Sequence, residues 1–238
     1  MNRIIVTYIT ALISLSFAPT SQAEPANKIQ ANYDVIGYGM TLAIINESFT
    51  RTKDSYRIES VTKAVGMLAR FKPETIRVTS LGSITLQGLQ PLSYSLIREV
   101  DTQKNASARF NWTDAVLTHI DYKGTNTLPL PVGTQDRLSV LYHLLANAKN
   151  DQTEFKLSIT DGSNLEDYIF VLSPNIRDVN VPLGSFKTRY ISNTPIGEEL
   201  KYEIWMAIEQ HYFPCKIIVT DSKGGKLTQV LTQLTIVP

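Results

Sequence analysis

Cysteine and histidine are scarce in this sequence of 238 residues. Cys215 is the only cysteine, which excludes a disulfide within the chain, so the fold must depend on its hydrophobic core. The three histidines, His119, His143 and His211, are not spaced as ligands on one helix or strand. No CxxC, HExxH or EF-hand pattern occurs either, and we therefore expect no metal and no cofactor.

Catalytic motifs are also missing, since neither GxSxG nor GxGxxG occurs. Leu81-Gly82-Ser83 and Leu183-Gly184-Ser185 match a nucleophile elbow only in half, and their glycines are better explained as strand starts or bulges. His119 and Asp121 share a face of a predicted strand, where the carboxylate could orient the imidazole. A cross-strand polar pair gives the same pattern, and we predict no catalytic residue.

The charges are balanced and scattered. Lys and Arg number 23 against 22 Asp and Glu, and only Lys216, Lys223 and Lys226 come near one another, across a predicted turn. Nucleic-acid binding depends on a concentrated excess of cations. We therefore expect no nucleic-acid partner.

The first 23 residues have the three parts of a secretory signal peptide: Arg3 near the start, an apolar run over 4–17, and small residues up to Ala23. The run is shorter than the roughly 20 residues that span a bilayer, so we expect cleavage rather than anchoring and no membrane span afterwards. Glu24, not a cysteine, would start the mature chain, which argues against a lipid anchor. We predict a single periplasmic domain over 24–238.

Short segments of β type, bounded by Gly, Pro, Asn and Asp, dominate that domain and indicate antiparallel strands. The predicted strands are 33–36, 40–49, 56–59, 75–79, 92–99, 107–112, 116–122, 155–159, 168–172, 184–191, 200–207, 215–220 and 227–236. Asp161-Gly162 and Lys223-Gly224-Gly225 separate strand pairs and predict tight hairpins.

Two segments favour helix. The first opens at 133–136 with Thr134 as the cap and Asp136 in the first turn, and an apolar stripe follows that should lie on the sheet. That stripe consists of Leu138, Leu141, Tyr142 and Leu145. The second covers Lys63 to Phe71 and stops at Pro73. We predict a mainly β fold, a curved antiparallel sheet or partly open β-barrel with one or two helices packed on it.

Aromatic side chains lie in the predicted strands, and a curved sheet would turn several of them inward. Core packing explains most of them, and a lined apolar cavity is the alternative. The candidate ligand-binding residues are Tyr94, Trp112, Tyr122, Phe186, Tyr190 and Trp205. Cys215 sits in a strand-like segment, where a buried, inert thiol is the common case.

Five short motifs occur in order along the chain: Ser80 to Tyr94, Ala108 to Trp112, Gln135 to Tyr142, Pro182 to Phe186 and Phe213 to Ile217. In that order they resemble the exported bacterial family known as domain of unknown function 3108 (DUF3108). Cys215 departs from the aliphatic residue expected there. The resemblance implies export to the envelope and a mostly antiparallel β fold, and it carries no activity or catalytic residue. The architecture is also similar to that of half-barrel lipoprotein carriers of the periplasm.

Export, aromatic-bearing strands and missing catalytic motifs favour a non-enzymatic binding or carrier protein for an apolar or lipid-like ligand. The alternative is an envelope interaction or assembly protein that contacts a protein partner through its surface. A hydrolase-type enzyme using His119 with Asp121 comes third. An empty apolar interior would favour the carrier, a filled one the interaction protein, and a polar cleft holding a histidine the enzyme.

Overall fold

The structure, a computed structural model, describes residues 27–147, 152–194 and 200–237. The predicted signal peptide lies outside these residues. Within them, fifteen strands form one sheet that is antiparallel except at one short pair. The strands are β1 Lys28–Gly37, β2 Met40–Thr52, β3 Ser55–Ala64, β4 Thr75–Thr85, β5 Gly88–Arg98, β6 Ala106–Asn111, β7 Val116–Asp121, β8 Gly124–Pro129, β9 Gln135–Asp136, β10 Glu154–Thr160, β11 Leu165–Val181, β12 Gly184–Asn193, β13 Lys201–Ala207, β14 Phe213–Thr220 and β15 Lys226–Val237.

The first and last strands pair at the centre of the sheet. β1 runs antiparallel to β15, with Ile29 opposite Ile236 and Val35 opposite Gln229. From this pair one arm runs outward through β2 to β8, and the other runs from β14 back to β9. Each arm is a series of strands paired with their sequence neighbours, and most of these pairs are joined by short turns. The parallel pair β9–β10 is instead connected through a helix.

The two arms curl toward each other and meet through side chains. Gln135 Nε2 of β9 donates to Leu89 O of β5 at 3.0 Å, and Thr160 Oγ1 of β10 lies 2.7 Å from His119 Nε2 of β7. In the described residues, the outer ends of the two arms, β8 and β9, do not pair with each other. The barrel is therefore closed there by side chains and remains partly open. The predicted fold class is confirmed.

The alternation of buried and exposed residues along each strand determines which side chains form the inner face of the sheet. In β3, Tyr56, Ile58 and Ser60 are buried while their neighbours are more exposed, as the apolar and charged alternation predicts. The Asp161-Gly162 and Lys223-Gly224-Gly225 hairpins connect β10 to β11 and β14 to β15, as predicted. Gly82 was predicted as a strand start or a bulge, and it lies opposite a bulge: Leu81 pairs with Ser93 and Gly82 with Pro91, so the extra residue belongs to β5. A Cβ at Gly82 would lie 2.3 Å from Gln90 O.

Helix α2, Ser139–Asn147, lies inside the curled sheet. Its apolar stripe packs on the core as predicted, with Leu138 and Tyr142 buried against the β1–β3 side. The predicted start was wrong. Thr134 Oγ1 donates to Pro131 O, Gln135 and Asp136 form β9 parallel to β10, and Asp136 instead caps the helix.

Helix α1, Gly66–Phe71, is shorter than predicted, because Lys63 and Ala64 continue β3. None of its residues is buried. Among the described residues, no helix has the length and apolar character needed to cross a membrane. The strands β8 and β9 were not predicted, because β8 is polar and exposed and β9 contains two residues.

Candidate functional site

A cavity of about 270 Å³ lies between α2 and the inner face of the sheet. Its wall combines residues from both arms of the sheet with one face of the helix. Most of the lining is apolar, including Ile45, Leu141, Leu144, Phe170, Ile204 and Val219. A packed protein interior leaves few voids of this size, so the cavity is a candidate binding site.

Glu47 is the acidic side chain in the cavity wall. It lies on the inner face of β2, opposite Ser60 of β3, and its Oε1 accepts a hydrogen bond of 2.8 Å from the Tyr142 hydroxyl of α2. Burial raises the pKa of Glu47 to about 7, and the Tyr142 hydrogen bond opposes that rise. The carboxyl therefore changes charge near neutral pH, facing empty apolar space.

Arg137 supplies the positive charge of the cavity. Its Nη2 donates to Asp161 Oδ2 at 3.2 Å, in the hairpin between β10 and β11. Asp161 also accepts from the backbone N–H groups of Ser163 and Asn164. The ion pair is partly exposed, so it marks a solvent-facing side of the cavity.

The segment before α2 closes the barrel. Asp136 Oδ1 accepts the Leu138 and Ser139 N–H groups, and Ser139 Oγ in turn accepts the Asp136 N–H. This reciprocal arrangement is a capping box with Asp136 at the N-cap and Ser139 at the N3 position. Together with the Gln135 bond to β5, it fixes the start of the helix against both arms.

A buried hydrogen-bond relay ties this cap to β3 and β4. Ser80 Oγ donates to Asp136 Oδ2 at 2.5 Å. Because the Ser80 proton is used there, Tyr56 OH donates to Ser80 Oγ at 3.1 Å. Burial raises the pKa of Asp136 to about 6, and the bond from Ser80 and the amide donors oppose the rise. Ser80 and Asp136 are fully buried, and all of these groups are hydrogen-bonded within the protein, so we interpret them as structural.

None of the six predicted ligand-binding aromatics lines the cavity. Tyr94 is buried in a separate cluster around Leu117, and Trp112 stacks on Phe110 in the same region and donates to Pro91 O at 2.6 Å. β6 and β7 end before Trp112 and Tyr122, and Tyr122 is 68% exposed in a turn.

The other three predicted aromatics lie on the opposite arm. Phe186 and Trp205 are half-buried against the β1–β3 core, and Tyr190 packs on Trp205 with ring centroids 5.0 Å apart. Arg177 lies over the Tyr190 ring and Lys216 over the Trp205 ring. These aromatics stabilise the sheet by packing, which was the main explanation that the sequence offered for the strand aromatics.

Sequence reasoning missed the residues that do line the cavity. Glu47 was not singled out, because one acidic residue in a strand is normally on the solvent face. Tyr202, in the predicted strand 200–207, was not among the six candidates, and it does line the cavity. A signal existed at Glu47, since it falls at an inward position between Ile45 and Phe49 in the alternation of β2.

His119 and Asp121 lie in a polar cleft of about 460 Å³ at the end of β7. They do not bond to each other: His119 Nε2 contacts Thr160, and Asp121 Oδ1 accepts the Lys123 N–H at 2.8 Å. Burial lowers the pKa of His119, and its Nδ1 has no hydrogen-bond partner in the described residues. The imidazole links β7 to β10 across the barrel opening.

The remaining singled-out residues have structural surroundings. His143 is half-buried on α2, and His211 is exposed in a left-handed turn. Cys215 is fully buried, donates to Trp205 O at 3.4 Å, and has its thiol pKa raised to about 11 by burial, which fits an inert thiol. In the part of the chain described here, no three His, Cys, Asp or Glu side chains are grouped as metal ligands.

The fold is similar to that of a protein of known structure. The crystal structure of a beta-barrel-like protein of domain of unknown function DUF1849 from Brucella abortus superimposes with a TM-score of 0.58 at 12% identity, covering 89% of this chain and 98% of that chain. A likeness at this identity supports the fold alone. Among curated proteins, no sequence matches.

The sequence itself matches a family over most of its length. The matched segment, residues 30–232, runs from β1 to β15 and includes both arms of the sheet and α2. It also contains the five motifs, of which the one from Gln135 to Tyr142 builds the helix cap and barrel closure. The chain therefore belongs to the DUF3108 family, described as proteins of unknown function.

Proposed function

We propose that this protein is a non-enzymatic carrier or binding protein of the periplasm that holds an apolar, lipid-like ligand between α2 and the sheet. The observation that carries the proposal is the apolar cavity of about 270 Å³ in that position. Filling it would recover dispersion contacts that its lining side chains lack in the empty state. The secretory signal pattern of the first 23 residues supports the location.

The size of the cavity limits the ligand. Sites for small molecules have volumes of about 300–1,000 Å³, so this cavity, at about 270 Å³, is just below that range. It fits one small apolar molecule, or the terminal part of a longer chain whose remainder stays outside. The partly exposed Arg137 lies where such a chain would leave the cavity.

The other two functions are supported less well. An interaction protein needs no empty interior, and the cavity therefore favours the carrier. The cleft at His119 is polar and holds a histidine, as an enzyme would require, but that imidazole is buried and contacts Thr160 rather than Asp121. We take it as a link between strands.

Native mass spectrometry of the protein purified from the periplasm tests the proposal directly. We expect a co-purified apolar ligand, and binding of the fluorescent apolar probe N-phenylnaphthylamine by protein from which that ligand has been extracted. Val219→Trp should abolish both, because Val219 lines the cavity. Ile218→Trp is the matched control, since its side chain points to the opposite face of β14.

Two results would overturn the proposal: a protein that never carries a ligand and does not bind the probe, or equal binding by the Val219→Trp and Ile218→Trp variants. His119→Ala should retain probe binding in full. Loss of probe binding in that variant, with the fold intact, would move the site to the polar cleft.

A further inference from the structure

Four large apolar side chains project from one end of the sheet. Tyr38 and Met40 lie at the turn between β1 and β2, and Met67 and Phe71 lie on α1. They are 90%, 50%, 63% and 81% exposed, respectively. We call these four residues the α1 tip. The two elements are fastened together, because Val65 N donates to Leu42 O at 2.9 Å beside them.

Cations surround this tip. The segment from Lys63 to Lys72 contains Lys63, Arg70 and Lys72 and no acidic residue. The next acid along the chain, Glu74, is already engaged, with Arg98 Nη1 at 3.9 Å and two backbone N–H groups bound. At the surface of an anionic bilayer, apolar side chains can insert below the headgroups while Lys and Arg bind the lipid phosphates. The exposed aromatic and methionine side chains of the tip, flanked by Lys and Arg, fit such a surface.

A second cavity, of about 190 Å³, lies beneath α1. It is lined by Ala43, Ala64, Leu68 and Ile76 among others, and it shares Thr62 with the main cavity. The main cavity also reaches Tyr202 and Val219, which lie at the same end of the sheet as α1, because β13 begins and β14 ends there. The tip and the apolar interior are therefore adjacent.

We propose that the α1 tip docks this protein on the surface of a bilayer containing anionic phospholipid. Tyr38, Met40, Met67 and Phe71 enter the interface, while Lys63, Arg70 and Lys72 contact lipid phosphates. Docking places the cavity under α1 against the lipid, which is where a carrier would load or release an apolar molecule. That last consequence rests on the proposed function, whereas the docking itself requires no ligand.

Co-sedimentation with vesicles tests the docking, using the exported protein purified from the periplasm. We expect binding to vesicles of equal parts phosphatidylcholine and phosphatidylglycerol, weaker binding to phosphatidylcholine alone, and a decrease as salt screens the charges. The double variant Met67→Ser/Phe71→Ser should bind at least about tenfold more weakly, because two large apolar groups no longer enter the interface.

The matched control is Leu86→Ser/Val132→Ser. These side chains are even more exposed, at 103% and 101%, but lie at the other end of the sheet, so their loss should leave vesicle binding unchanged. Arg70→Gln/Lys72→Gln should remove the preference for phosphatidylglycerol. All of these side chains are at or near the surface, so the variants should fold, and circular dichroism checks this.

Equal binding by the tip and control variants would overturn the proposal, as would failure of the unaltered protein to bind phosphatidylglycerol vesicles. A protein partner cross-linked at Phe71 in the absence of vesicle binding would also overturn it. Val219→Trp should keep full vesicle binding while losing the apolar probe. The docking and the carrier function can therefore fail separately.

Discussion

Two carboxyl groups contact helix α2, Asp136 at its start and Glu47 through Tyr142, and they differ in how they are satisfied. Asp136 accepts from Ser80, Leu138 and Ser139 and touches no open space. Glu47 accepts one hydrogen bond, from Tyr142, and faces the apolar cavity. Both have a raised pKa because of burial. The raised pKa is thus common to both carboxyl groups, and the unfilled space beside Glu47 is what distinguishes them.

The largest effect is expected at the satisfied carboxyl. Asp136→Ala removes the helix cap and leaves Ser80 and two backbone donors without an acceptor, so the free energy of unfolding should fall by about 3–5 kcal/mol. Urea denaturation at pH 7 measures this. Asp136→Asn keeps an oxygen at the cap and should lose less than half as much. An unchanged midpoint in both variants would show that Asp136 does not hold the helix.

Ser80→Ala should come next. It leaves Asp136 Oδ2 and the Tyr56 hydroxyl without their partner, which costs about 2 kcal/mol for buried groups. Ser83→Ala, on the same strand, is the control and should be nearly neutral, because Ser83 makes no side-chain hydrogen bond that the structure records. Similar losses in the two variants would mean that the relay from Tyr56 to Asp136 contributes nothing beyond packing.

Glu47 should control part of the pH dependence of stability. Its pKa rises from an ordinary 4.5 unfolded to about 7 folded, so the fold favours the protonated form and loses stability as pH increases between those values. Glu47→Gln should remove about 1–2 kcal/mol of that loss. This is less than the free energy that the whole pKa shift would give, because water can enter the cavity.

Urea unfolding at pH 5 and pH 8 measures the effect of Glu47→Gln. Asp136 also has a raised pKa, of about 6. In the Glu47→Gln variant it should therefore still cause a smaller loss of stability as the pH rises toward 6. Glu59→Gln, on the outward face of β3, is the matched control and should not flatten the profile. A variant at Glu47 with the unaltered pH profile would place that carboxyl in water rather than in an apolar cavity.

The smallest effect is expected for Tyr142→Phe, at about 1 kcal/mol. The hydrogen bond from Tyr142 stabilises the charged carboxylate, so its removal should raise the pKa of Glu47 above 7. An NMR titration of labelled Glu side chains measures the shift directly. Tyr190→Phe, which removes a comparable 2.9 Å bond to Glu203 outside the cavity, should leave the Glu47 titration unchanged.

Local pattern was enough to predict most of the strands. Alternation of apolar and polar residues located β3 and most of the others, and glycine at 162 and 224, which adopts positive φ, marked the two hairpins. Both helices were found, but not their starts. Thr134 and Asp136 are equally good capping residues by type, and only the contacts of Asp136 with Ser80 and of Gln135 with Leu89 decide between them.

The site was harder to predict because its residues are distant in sequence. Glu47, Leu141 and Val219 border one cavity only after the arms have curled around α2. Aromatic size indicates burial but not which side chain borders a void, so Tyr94 and Trp205 were chosen and Glu47 was not. Voids depend on how side chains from separate strands fit together, which no single segment encodes.

By itself, the sequence determined a mainly β chain with a secretory signal pattern, one thiol and no known catalytic motif, because these follow from residue type and short-range spacing. Tertiary structure alone decided the pairing of β1 with β15, the closure at Asp136, and the apolar cavity that Glu47 faces. Each of these arises between residues far apart in the chain, where the energy of contact depends on three-dimensional packing rather than on local preference.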